Sequence, residues 1–139
     1  MGLDEAVSGP PPLVAGIGFR RGTDSAEIVA LLRRALDASG AQAPRLAAIA
    51  TADDRAGEPA LREAARAFAL APTPVTPEAL AAADTRVITR SARIERVRGV
   101  GSLAEAAALA AAGPASRLVL PRIASAGATC ALAAPSPSA

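Results

Sequence analysis

The sequence predicts an α/β fold, a three-layer α/β/α sandwich with a mixed central sheet, and three observations carry the prediction. Short apolar runs alternate with capped segments of helical periodicity, the pattern of strands covered by helices. The last two apolar runs are joined by about seven residues, too few for a crossover helix, so they pair antiparallel and make the sheet mixed. The chain has 139 residues, 51% hydrophobic but only 1% aromatic, so one core of Ala, Val, Leu and Ile is expected, with helices close on the sheet.

The elements follow in order. Residues 1–12 and the tail 135–139, rich in Pro, Ser and Gly, have the composition of disordered ends, leaving a folded unit of residues 13–134. Residues 13–17 read as a buried strand feeding a loop at 18–23. Asp24 and Glu27 form a capping box for a helix with Ile28, Leu31, Leu32, Ala35 and Leu36 on one face, stopped by Gly40. Residues 45–50 read as a second strand ending at Thr51, and Pro59 opens a helix whose apolar face is Leu61, Ala64, Ala65 and Phe68. Residues 72–75 are extended, Thr76 and Pro77 start a brief helix to about Ala83, and residues 86–89 read as a strand. From Ser91 to Arg98 two patterns compete: Ile94 and Val97 stand at helical spacing, whereas Arg93 to Arg98 also alternate as a strand would, and a short helical turn capped by Ser91 is preferred. Ser102 and Glu105 form a second capping box, opening an Ala-rich helix that stops at Gly113 and Pro114. Residues 117–120 and 128–133 are the closing strands, and Cys130 alternates inward as a packed residue.

Composition excludes several chemistries. A pI near 9.9 suggests nucleic acid, but the formal net charge is only +2; with no His, Tyr or Lys, a small arginine excess lifts the pI without a strong field. Stacking aromatics are missing too, so nucleic acid is not the expected partner. One Cys and no His leave no disulfide, no thiolate or imidazole metal cluster and no histidine-based triad, so no metal or cofactor is expected. The first twelve residues have no signal-peptide pattern and no apolar span reaches about 20 residues, so no membrane is expected and the cytoplasm is the default location.

Ligands of open α/β sheets sit beyond the C-terminal ends of parallel strands, at helix N-termini. Gly18, Arg20, Arg21, Gly22 and Thr23 occupy such a loop; they suit an anion, or else form a plain turn with solvated arginines. Neither a phosphate-binding P-loop nor a complete dinucleotide fingerprint is present, although a small-anion module remains a rival reading. Asp53 and Glu58, with Asp54 and Arg55, make a charged loop after the second strand. Either carboxylate could serve as a general base for water, or simply cap and pair.

Four stretches in order resemble one family: GIGFRRGT at residues 16–23, IATADDRAGEPAL at 49–61, GVGSLAEAAAL at 99–109, and LVLPR at 118–122 with TCALA at 129–133. Their order and spacing resemble the CobE and CbiG C-terminal family of cobalamin (vitamin B12) biosynthesis over nearly the whole folded unit. Phe19 stands where the family pattern has Cys, and Arg55 and Arg122 where Lys is usual. The resemblance implies an α/β/α sandwich that handles a precorrin or corrin intermediate, a tetrapyrrole bearing acetate and propionate arms. The length matches the stand-alone CobE form; CbiG carries an additional N-terminal region and opens a cobalt-precorrin lactone. A CbiG-type hydrolase using Asp53 or Glu58, and a scaffold for other cobalamin-pathway enzymes, are the rival readings. On this resemblance Gly18, Arg20, Arg21, Gly22, Thr23, Thr51, Arg55, Gly101, Ser102, Glu105 and Arg122 are the expected substrate-binding residues.

Overall fold

The structure, a computed structural model, describes residues 12–135. Nearly all of the two expected tails therefore lies outside the described residues. Along the chain come β1 (Leu13–Phe19), α1 (Ser25–Ser39), β2 (Leu46–Ala52), α2 (Pro59–Arg66), β3 (Pro72–Val75), α3 (Pro77–Ala83), α4 (Ala92–Arg98), α5 (Leu103–Ala112), β4 (Arg117–Ala124) and β5 (Ala128–Ala134). The sheet order is β3-β2-β1-β5-β4. β1, β2 and β3 run parallel, whereas β5 is antiparallel to both β1 and β4, so the sheet is mixed as expected.

Alternation along β1 divides the core into two layers. Leu13, Ala15 and Ile17 pack with Ile28, Leu31, Leu32 and Leu61 of α1 and α2. Val14 packs in the opposite layer, which holds Leu80 of α3 and Leu103, Ala107 and Leu109 of α5. On that second face Gly16 lies directly beneath α5: a Cβ there would stand 1.9 Å from the Ala104 carbonyl oxygen and 2.6 Å from the Ala108 nitrogen. Small residues therefore allow helix and strand backbones to meet without intervening side chains.

Helix starts follow the sequence signals. Asp24, Thr76, Ser91 and Ser102 each accept a hydrogen bond from the amide three residues on. Pro59 and Pro77 occupy first-turn positions, where no amide hydrogen is needed. Gly40 ends α1 in the left-handed region, at φ +77°.

Several expectations are corrected. Residues 86–89 form no strand: a single 3-10 turn ends at Arg86, and the amides of Ile88 and Thr89 donate to the Glu105 carboxylate at 2.7 and 2.9 Å instead of to a neighbouring strand. Both capping boxes are half right. Asp24 and Ser102 cap, but the carboxylates of Glu27 and Glu105 turn to distant backbone amides. β2 runs through Thr51, which sits inside the strand instead of ending it, and α2 stops at Arg66, before Phe68. β4 continues past Pro121 to Ala124, which shortens the final link to residues 125–127. Pro121 is tolerated because β4 is an edge strand whose register shifts between Leu120 and Ile123. No helix among the described residues is long and apolar enough to cross a membrane.

Candidate functional site

At the C-terminal ends of β1 and β4 the chain leaves a hollow of about 540 Å³, within the range of about 300–1,000 Å³ usual for small-molecule sites. Its walls are the loop after β1, the tip of the β4–β5 hairpin, the start of α5 and one face of α4. Six of the fifteen arginines line it: Arg20, Arg21, Arg55, Arg93, Arg98 and Arg122. No Asp or Glu does, and Ile94 and Val97 add an apolar strip, with Val97 70% exposed.

The loop after β1 is tied to the hairpin tip. The Arg20 amide donates to the Gly127 carbonyl at 2.8 Å, and the Thr23 hydroxyl donates to the same oxygen at 3.0 Å. Glu27, on the first turn of α1, accepts from the Gly127 amide at 2.6 Å and from the Ser125 hydroxyl. These two bonds, the hydroxyl's first, hold the Glu27 carboxyl below its usual range. Gly22 turns the loop at φ +89°, in the region that disfavours side chains.

The cations differ in how they are held. The Arg55 guanidinium lies over the Phe19 ring, 4.3 Å from its centroid, and donates to the Phe19 carbonyl at 2.9 Å. Phe19 thus supplies a cation–π contact that helps to hold Arg55. Arg98 grips Asp54 through two bonds of 2.7 and 3.1 Å, which depress the Asp54 carboxyl and tie α4 to the loop after β2. Glu58 faces both Arg55 and Arg21, at 3.9 and 3.8 Å, and the Arg21 side chain is otherwise solvated. Among the described residues, the guanidinium groups of Arg20, Arg93 and Arg122 have no hydrogen-bond or ion-pair partner.

At the start of α5 the Gly101 amide already donates to Asp84, whose carboxyl is held low by that bond and then by Arg90. Ser102 caps the helix and leaves the Leu103 and Ala104 amides without an intrahelical acceptor. The positive end of the helix thus adds to the field of the arginines.

Of the thirteen residues expected from the sequence, Gly18, Arg20, Arg21, Arg55, Ser102 and Arg122 meet around this one hollow. The others serve its frame or stand beside it. Gly22 makes the turn, Thr23 ties the hairpin, Gly101 is bonded to Asp84, and Asp53 and Glu58 lie on the charged loop outside the lining. Thr51 and Glu105 are fully buried and face no ligand: Thr51 donates to the Ile17 carbonyl at 2.7 Å, and Glu105 accepts from three backbone amides. Sequence reasoning missed Arg93, Ile94, Val97 and Arg98. The signal in the sequence was the density of cations, Arg93, Arg96 and Arg98 within seven residues around Ile94 and Val97, and the structure shows that this helix buries no residue at all.

Known proteins place the chain in context. A curated relative, the protein CobE of a Sinorhizobium species, is 38% identical over 123 residues, covering 88% of this chain and 80% of that protein. The crystal structure of CobE, a protein from the cobalamin (vitamin B12) biosynthetic pathway, superposes with a TM-score of 0.83 at 34% identity, over 93% of this chain and 96% of the other. The cobalamin biosynthesis protein chiG from Agrobacterium tumefaciens C58 gives a TM-score of 0.71 at 37% identity, over 89% and 98% of the two chains. Residues 13–133 match the family described as cobalamin synthesis G C-terminus, and to that family this chain belongs.

Proposed function

We propose that the hollow binds one carboxylate-rich precorrin or corrin intermediate of cobalamin biosynthesis, and that the chain acts as its binding protein. One observation carries this reading: six arginines and no carboxylate surround a hollow with an apolar strip in its wall. A tetrapyrrole offers the complement, an apolar ring edged by acetate and propionate arms. Arginine forks pair with carboxylates in two parallel bonds, which fixes orientation as well as adding affinity. The open mouth lets part of a macrocycle larger than the hollow remain in solvent, where an enzyme of the pathway can meet it. Family membership and the names of the relatives support the pathway; the chemistry of the lining supports the ligand class.

The lining does not favour lactone hydrolysis. Asp53 and Glu58 both stand outside it, and Glu58 is engaged by Arg55 and Arg21. Titration with hydrogenobyrinic acid, followed by its visible absorption, tests the proposal. Saturable binding is expected, weakened by added salt and weakened about tenfold, near 1.4 kcal/mol, by Arg20→Ala or Arg122→Ala. Absence of any spectral change at high ligand concentration would overturn it.

A further inference from the structure

The inference concerns a residue that never reaches the hollow. Glu105 sits on the first turn of α5 with no exposed surface. Its Oε1 accepts from the amides of Ile88 and Thr89 at 2.7 and 2.9 Å, and its Oε2 accepts from the amide of Arg122 at 2.9 Å. Among the described residues no arginine side chain pairs with it. A buried carboxylate is costly unless hydrogen-bonded, so these amides are what permits the charge to be there. Burial pushes its pKa up, but the amides of Arg122, Thr89 and Ile88 and the Thr89 hydroxyl prevail and hold it below the usual range.

The donors come from two different walls of the site. Residues 87–91 form the strap that leads into α4, the helix bearing Arg93, Val97 and Arg98. Arg122 lies where the register of β4 against β5 shifts, so its amide is turned out of the ladder towards Glu105. We propose that Glu105 is a positioning residue: its carboxylate, anchored on α5, sets the place of Arg122 and of the strap before α4, and so fixes two of the cationic walls of the hollow relative to each other. This rests on the binding role proposed above.

Glu105→Gln is the informative variant because it keeps the volume. A carboxamide has one acceptor oxygen and an NH2 group, and the three backbone amides that Glu105 accepts from can only donate, so in either orientation an NH2 meets a backbone N–H. The orientation that keeps more bonds leaves the oxygen on Ile88 and Thr89 and releases Arg122. The expected result is therefore selective. Arg122→Ala weakens binding of hydrogenobyrinic acid about tenfold in the wild type but less than about twofold in the Glu105→Gln background, whereas Arg20→Ala weakens it equally in both. Arg20 is the internal reference because its own amide is tied to Gly127, not to Glu105.

A residue needed only for folding would leave the contribution of Arg122 unchanged in every folded variant, and that result overturns the proposal. Amide hydrogen exchange on the wild-type protein gives a second test without ligand or variant. The Arg122 amide is expected to be protected like those of β5, although it lies where the ladder is interrupted; exchange at the rate of a free peptide overturns the pinning. Loss of all binding in the wild type would instead refute the binding role, and the positioning role with it, while the exchange result still reports on the pinning itself.

Discussion

Gly16→Ala tests the packing on which the whole site is mounted. The added methyl carbon would lie 1.9 Å from the Ala104 carbonyl oxygen and 2.6 Å from the Ala108 nitrogen, whereas such contacts are essentially never shorter than 3.0 Å. Strand or helix must therefore give way by about 1 Å or more, and both obstacles are backbone atoms of α5 that no rotamer change can move. Overpacking a core costs about 1–3 kcal/mol, occasionally more, and a clash with backbone on both sides belongs at the upper end. Against a total stability of about 5–15 kcal/mol, a loss of about 3 kcal/mol lowers the melting temperature by roughly 10 °C. The chain has no Trp or Tyr, so far-ultraviolet circular dichroism is the suitable probe. Gly57→Ala serves as the control, since a Cβ there meets nothing within 4 Å; it should stay within about 0.5 kcal/mol of the wild type. If Gly16→Ala melted within about 2 °C of the wild type, close backbone contact between α5 and β1 would not be what the glycine provides.

Three further outcomes follow from groups inside the frame. Cys130 is fully buried and its thiol is pushed up to about 12 by desolvation, so a disulfide reagent at pH 8 should leave it unmodified in the folded protein and label it at once in denaturant. Thr51→Val removes the bond to the Ile17 carbonyl at nearly constant volume and should cost about 1 kcal/mol in a urea titration; an unchanged midpoint would contradict it. Glu27, Asp54, Asp84 and Glu105 all have carboxyls held below their usual values. Depressed folded-state values mean that their stabilisation is complete above the unfolded carboxyl range, about pH 4–4.5, and is lost as the pH falls through the folded values. With no histidine in the chain, the urea midpoint should be flat between about pH 5.5 and 7 and fall below about pH 4; a rise on acidification would refute these assignments.

The parts of the fold legible in the sequence were those decided within a few residues. Asp24, Thr76, Ser91 and Ser102 mark helix starts because each cap is satisfied by an amide three positions away. Misreadings arose where a backbone amide is claimed from afar. Val87 and Ile88 look like strand residues, but the amides of Ile88 and Thr89 answer to Glu105, 17 and 16 positions on. Glu27 similarly reaches Gly127, 100 positions away, instead of closing its own capping box. In the site, Arg20, Arg21 and Arg122 could be placed because they follow glycines or lie late in apolar runs, where α/β sheets expose their ligand-binding ends. The α4 wall could not, because its position depends on the Arg98–Asp54 pair and the strap at Glu105, both long-range contacts.

A net charge of +2 would not by itself draw a polyanion to this chain, since thirteen carboxylates nearly offset fifteen arginines. What matters is where each sign is placed. The carboxylates near the hollow are already engaged: Glu27 with the Gly127 amide, Glu105 with the Arg122 amide, Asp84 with the Gly101 amide and Arg90, Asp54 with Arg98, and Glu58 with Arg21 and Arg55. Each thereby stiffens a wall while contributing no carboxylate to the lining. Among the described residues the guanidinium groups of Arg20, Arg93 and Arg122 are left without anionic partners on a concave surface, where low-dielectric walls strengthen their combined field. The same distribution explains how buried or partnered acids and an arginine-lined hollow can be parts of one design: the acids hold the backbone that aims the cations. Binding that depends on this separation should weaken with ionic strength over a Debye length of about 8–10 Å, while the stability of the frame, carried by amides and apolar packing, should change little over the same salt range.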